Sequence, residues 1–226
     1  MATEVKPSIR LILIGPPGAG KGTQAANIIE KYSVKHLATG DMLRAMVTSG
    51  HELSKKVKDI MDKGEFISDE LAVSIIEENL IKLEKGVGFM LDGFPRTTTQ
   101  AELLDELLTR INSKIDAVIE LHVEPSVLTK RITGRLLHKA TGRTYHEVFK
   151  PPKVPMIDDV TGEPLVKRTD DTEEALLVRL EAFHNQTKPV VEYFKKQGLH
   201  TIINGDREEG EVFKEINGLL SPLGKL

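Results

Sequence analysis

Residues 9–23 read IRLILIGPPGAGKGT: a run that is apolar except for Arg10 passes directly into Gly-Pro-Pro-Gly-Ala-Gly-Lys-Gly-Thr. A short apolar run bounded by turn residues has the length of a buried strand. Gly-x-x-x-x-Gly-Lys placed behind such a strand and ahead of a helix is a phosphate-binding loop. Glycines 15, 18, 20 and 22 let successive N–H groups turn inward as an anion nest. The following helix points the positive end of its dipole at the same spot, and Lys21 adds a full charge. One letter departs from the usual form. The position after the lysine, which ordinarily supplies a magnesium-ligating hydroxyl, is Gly22, and Thr23 stands one place later.

Outward from this loop, residues 88–91, 117–123 and 201–203 are further apolar runs that read as buried strands. Residues 21–32 and 69–85 carry apolar side chains at helical spacing, the second stretch closing at Gly86. Strands alternating with helices predict an α/β fold, a parallel sheet with helices on both faces, whose ligands sit at the carboxyl ends of the strands. From Thr141 to about Asp170 the pattern breaks: TGRTYHEVFKPPKVPMIDDVTGEPLVKRTD is dense in Pro, Gly and Asp. A structureless loop of that length does not suit a compact domain, so the segment predicts an inserted lobe or lid. Asp171 with Glu174 has capping-box spacing and predicts a new helix there.

The chain has 226 residues, 31 Lys and Arg against 34 Asp and Glu, a net charge of −3 and no cysteine. No global basic field draws it to nucleic acid or anionic membrane, so phosphate binding has to be local. Thiolate metal sites and disulfides are excluded. The amino-terminal MATEVKPS offers no apolar signal segment, and no run reaches membrane-spanning length.

Asp92 stands at the exit of the second apolar run and heads Asp-Gly-Phe-Pro-Arg, where a metal-organising carboxylate is expected. Magnesium keeps several of its waters, so Asp92 and the displaced Thr23 suit it through a water shell. Arginines recur at suggestive places. Arg96 leaves the Asp92 turn, and Arg44 follows the loop-like Thr39-Gly40-Asp41. Arg131 and Arg135 share the face of an expected helix, and Arg168 and Arg179 flank the end of the inserted segment. A phosphoryl transferase has to spread positive charge over donor, acceptor and moving group; a simple nucleotide binder does not.

These motifs together resemble the adenylate kinases over nearly the whole chain: GPPGAGKGT at 15–23, HLATGDMLR at 36–44, GEFISDE at 64–70, DGFPRTTTQ at 92–100, RITGR at 131–135, GRTYH at 142–146 and KRTDD at 167–171. In that family Gly after the lysine is the normal form. The resemblance implies Mg·ATP + AMP ⇌ 2 ADP. It implies a core of residues 1–37, 68–133 and 172–226, a lobe for the acceptor monophosphate at 38–67 and a long lid at 134–171. Gly18, Ala19, Gly20, Lys21, Gly22 and Thr23 would cradle the ATP phosphates. Arg135, Thr144, Tyr145 and a backbone contact at Arg207 would complete the donor site. Thr39, Arg44, Glu65, Phe66, Ile67, Gly93, Phe94, Pro95, Arg96 and Gln100 would take AMP. Arg96, Arg131, Arg135, Arg168 and Arg179 would surround the phosphates. Gln100 suits adenine because an amide offers both a donor and an acceptor.

Some long lids of the family hold zinc through four ligands. The positions here are His138, Thr141, Asp158 and Thr161, and two threonine hydroxyls are poor zinc ligands, so a polar cluster without structural zinc is expected. The resemblance further implies a monomer, in the cytoplasm or alternatively the mitochondrial intermembrane space. Alternatives that stay open are a GTP:AMP phosphotransferase, since donor-base contacts are largely backbone, and a nonenzymatic nucleotide-binding switch.

Overall fold

The structure, a computed structural model, describes residues 8–49, 54–84 and 86–225. Its centre is a parallel five-stranded sheet in the order β2-β3-β1-β4-β7. The strands are β1 (Arg10–Ile14), β2 (Lys35–Ala38), β3 (Phe89–Asp92), β4 (Ala117–His122) and β7 (His200–Asn204). The helices are α1 (Lys21–Tyr32), α2 (Thr39–Thr48), α3 (Ser54–Asp62), α4 (Asp69–Ile81), α5 (Thr98–Arg110), α6 (Pro125–Thr133), α7 (Glu173–Ala182), α8 (Lys188–Lys196) and α9 (Glu209–Leu220). Two short strands, β5 (Arg135–Leu137) and β6 (Thr144–His146), pair antiparallel in the inserted segment.

Alternation along β1 builds both faces of the core. Ile12 and Ile14 pack with Leu91, Val118, Leu104 and Phe194 on one side. Leu11 and Leu13 pack with Met90, Ile119, Ile28 and Ile216 on the other. A strand buried on both faces reads as the continuous apolar run seen in the sequence. Its one charged residue, Arg10, meets Asp116 just ahead of β4, with Nε to Oδ2 at 2.9 Å, and so pins the sheet's amino end away from the functional rim. The inserted segment has only a small core of its own, Leu136, Tyr145 and Leu165.

Three expectations change, and one strand is added. The edge strand β2 was not legible, because only Leu37 of Lys35–Ala38 is buried. The helix expected over 69–85 ends at Ile81; Lys85 lies outside the described residues. Thr39-Gly40-Asp41 is the first turn of α2 and not a loop. The helix after the insertion is capped by Thr172, whose hydroxyl accepts from Ala175 N–H at 3.1 Å. Asp171 lies one residue ahead of the cap, and its carboxylate accepts from Arg135 Nε at 2.8 Å.

Candidate active site

The carboxyl ends of the strands open into one cleft of about 980 Å³. β1 delivers the glycine loop, β2 delivers Thr39, β3 delivers Asp92, and β7 leads to Gly205 and Arg207. Within the loop, Gly18 and Gly20 have φ of 84° and 93°, a region that favours glycine, and Gly20 is the residue that opens α1. No side chain caps α1 and its first turn holds no acidic residue, whereas Ser68, Thr97 and Thr172 cap α4, α5 and α7. The N–H groups at the start of α1 are therefore free for an anion. Gly22 is already helical. A Cβ there would meet nothing within 4 Å, so the protein's own packing does not demand glycine and the cleared space belongs to the cleft.

Lys21 Nζ donates to the carbonyls of Gly15 and Pro16 at 2.7 and 3.0 Å, which parks the ammonium across the loop. Burial pushes its pKa down to about 8; Asp92 opposes the fall, and Arg96, Arg135 and Arg168 deepen it. Burial alone would push Asp92 up, but the hydrogen bond from His36 and the charge of Lys21 outweigh it and hold the carboxyl below its usual range. His36 Nε2 lies 3.3 Å from Asp92 Oδ2.

The arginines gather around this pair. Arg96 and Arg168 are each pushed down to about 10, first by burial and then by other arginines, Arg179 acting on Arg96 and Arg135 on Arg168. Both remain cations at neutral pH, and Asp92 beside Arg96 and Asp41 and Asp171 beside Arg168 offset part of the fall. Arg96 is fixed by Nε donating to Gly93 O at 2.7 Å, beyond the cis Phe94–Pro95 peptide, and its guanidinium lies 4.7 Å from the centre of the Phe66 ring. Arg44 pairs with Asp41, Arg179 with Asp170 and Arg135 with Asp171, while Arg168 lies 3.5 Å from Asp41. Carboxylates thus stand where substrate phosphates could replace them. Arg135 is the first residue of β5, past the end of α6, so it does not share a helix face with Arg131. Arg131 instead donates to Gly205 O at 3.0 Å, beside Asp206 and away from the other arginines' partners.

Among the described residues, three buried side-chain atoms lack a hydrogen-bond partner: Thr39 Oγ1, Arg168 Nε and Gln24 Oε1. All three residues line the cleft. Buried polar atoms normally find a partner, which water or a ligand in the cleft would supply to these three. Gln100 is buried; its Oε1 accepts from Arg96 N–H at 2.7 Å and its Nε2 donates to Asp69 Oδ1 at 2.8 Å. An amide has two lone pairs and two hydrogens, so each end keeps one bond for a base. Glu65, Phe66, Ile67, Gly93, Phe94 and Pro95 also line the cleft, as do Thr144, Tyr145 and Arg207. The Tyr145 hydroxyl, however, turns into the insertion, donating to Asp158 at 3.0 Å. Arg207 is anchored by Nε to Asn204 O at 3.1 Å.

In the insertion, His138 Nδ1 lies 2.8 Å from Thr141 Oγ1 and His138 Nε2 2.6 Å from Glu163. Asp158 accepts from Arg143, Tyr145 and the Thr161 hydroxyl, the last at 2.9 Å. Among the described residues no group of three or more His, Cys, Asp or Glu is arranged to hold a metal ion.

Sequence reasoning missed His36, Asp41, Asp170, Phe149, Lys150, Gln24 and Glu209, which also line the cleft. His36 lies on the unread strand β2. The others gave no local signal, since an Asp beside an Arg in sequence does not say which groove the pair faces.

Comparison with known proteins agrees with the geometry. A family model described as adenylate kinase matches residues 13–199. Adenylate kinase 4 of Oryza sativa subsp. japonica is 51% identical over 98% of this chain and 91% of its own length. An adenylate kinase of Emericella nidulans is 52% identical over 94% of this chain and 83% of its own. Adenylate kinase 4 of Arabidopsis thaliana is 50% identical over 96% and 88%.

Proposed function

This chain belongs to the adenylate kinase family and is a nucleoside monophosphate kinase, and on that premise we propose how its cleft carries out Mg·ATP + AMP ⇌ 2 ADP. The observation that carries the reading is the gathering of Lys21, Arg44, Arg96, Arg135, Arg168 and Arg179 along one cleft that also holds the glycine loop. One end holds the glycine loop and the uncapped start of α1, which suit the ATP phosphates. The other holds Thr39, Arg44, Phe66, Arg96 and Gln100, which suit AMP.

On this reading ATP draws Lys21 off the carbonyls of Gly15 and Pro16 and gives it phosphate oxygens instead. Arg96, Arg135, Arg168 and Arg179 exchange carboxylate and backbone partners for the moving phosphoryl group and its neighbours. Phosphoryl transfer asks for alignment and charge stabilisation, so no general base is needed. Asp92, a buried carboxylate kept ionised, and the Thr23 hydroxyl are hard oxygen donors that fit magnesium through its waters. When bound, the ion would supply positive charge to the phosphates. The segment 134–171 acts as a lid and 38–67 as the acceptor lobe. Their closure keeps water from the phosphoryl group, which would otherwise be hydrolysed. We read the lid as held by its polar cluster without zinc, because Asp158 and His138 are committed to protein partners.

By the same resemblance we propose a monomer, in the cytoplasm or alternatively the mitochondrial intermembrane space. No helix among the described residues is long and apolar enough to cross a membrane. The deciding experiment is a coupled assay on purified protein: ADP should form from Mg·ATP only when AMP is present, faster than from GTP with AMP. Hydrolysis that proceeds without AMP would overturn the proposal.

A further inference from the structure

Three contacts converge on Glu209, the first residue of α9. Its carbonyl accepts Gln24 Nε2 at 3.0 Å. Its Oε1 accepts Asn27 Nδ2 at 3.1 Å, and its Oε2 accepts Lys150 Nζ at 2.7 Å. Gln24 and Asn27 lie three apart on α1, hence on one face of the helix that Lys21 begins. Lys150 belongs to the inserted segment, 59 residues away in sequence. A single residue therefore ties together the phosphate-loop helix, the turn after β7 that carries Arg207, and the lid. Lys150 and Glu209 both line the cleft, on the side of Arg207. The two ends of the carboxylate are divided between them: one oxygen faces the core and the other faces the lid.

Resting on the adenylate kinase reading, we infer that Glu209 is a positioning residue for the donor nucleotide, its carboxylate holding the lid against α1 over the ATP end of the cleft. The acceptor end has no share in this bridge, since the Thr39, Arg44 and Gln100 side chains make no hydrogen bond or ion pair to any of its members. Glu209 thus acts on one substrate and not on the other, which a merely structural ion pair would not do. The Lys150 and Glu209 side chains are 47% and 35% exposed, so the pair is of the partly screened kind and its effect is a bias on closure.

The test is steady-state kinetics of Glu209→Gln and Lys150→Met, varying ATP and AMP separately. Each variant should raise the KM for ATP about fivefold, equivalent to ~1 kcal/mol at 25 °C, with the KM for AMP and the thermal midpoint unmoved. The exchanged pair Lys150→Glu with Glu209→Lys should recover most of the loss, because the Asn27 amide can present its oxygen to an ammonium. Raising salt to about 1 M, where the screening length is ~3 Å, should shrink the ratio between variant and wild type. Equal rises in both KM values, no rise in either, or no recovery by the exchange would each overturn the inference. Lys150→Met sits at a half-exposed lid position and keeps the test standing if Glu209→Gln fails to fold. Wild-type protein without AMP-dependent ADP formation would instead overturn the underlying reading.

Discussion

The cleft and the lid both bring buried charge together, and they balance it in opposite ways. In the lid, burial would raise the Asp158 pKa, but Arg143, Thr161 and Tyr145 all donate to the carboxylate and hold it well below its usual range. That cluster is complete. In the cleft, Lys21, Arg96 and Arg168 are buried among other cations, and Thr39 Oγ1, Arg168 Nε and Gln24 Oε1 find no partner. A polyanion bound there would meet those cations. A satisfied polar network serves folding, whereas an unsatisfied one is kept because a ligand finishes it.

The largest effect should come from removing the central cation. Lys21→Met is expected to lower kcat by about 10²–10³-fold, the scale of losing one transition-state donor. Its thermal midpoint should stay level or rise, because a crowded ammonium has gone; a lowered midpoint with near-normal turnover would reverse the assignment. Next, a mimic of two adenosines joined by five phosphates should bind roughly 10²-fold more tightly than ATP, since it fills both ends of the cleft at once. At a hundred times its Kd it should add about 2.7 kcal/mol to stability, readable as a raised thermal midpoint.

The lid should fail in the other direction. Asp158→Ala leaves the Arg143, Tyr145 and Thr161 donors without their acceptor. Limited proteolysis should then cut the lid before the core, and the KM for ATP should rise roughly tenfold while AMP affinity is retained. The smallest effect is on pH dependence. In the free enzyme Lys21 loses its charge as pH rises through about 8, so kcat/KM for Mg·ATP should fall by at most about tenfold per pH unit above that point. kcat should hold to higher pH, because bound phosphates keep the ammonium protonated. Stability follows the same group with a defined sign. The folded pKa of about 8 lies below the usual 10.5, so the unfolded chain binds more protons between those values. The cost of the buried charge is fully present below pH 8 and is relieved as pH rises across that window, which denaturant midpoints in wild type and Lys21→Met can show.

Much of this was legible along the chain. The run 9–14 followed by GPPGAGKGT placed β1, the loop and α1, whose observed span Lys21–Tyr32 is the predicted one. The edge strand β2 was hidden because an edge needs only one buried side chain, and the pattern around Leu37 was too short to stand out. Arg131 and Arg135, four apart, read as one helix face; Gly134 ends α6 between them, and the two guanidiniums go to different parts of the cleft. Asp171 read as a cap, but its partner Arg135 lies 36 residues away, a distance no local pattern reports.

Residue types at short, fixed spacings carry the family resemblance, the sheet's central strand, the phosphate loop and the choice of candidate arginines. The folded chain settles where each charge finds its counter-charge. It set Asp92 against His36, Asp158 against Arg143, and Glu209 between α1 and the lid, and it left three atoms in the cleft, Thr39 Oγ1, Arg168 Nε and Gln24 Oε1, without a protein partner. The reason is physical: the periodicities of helices and strands arise from neighbours in the chain, whereas desolvation and Coulomb energy depend on distance in space.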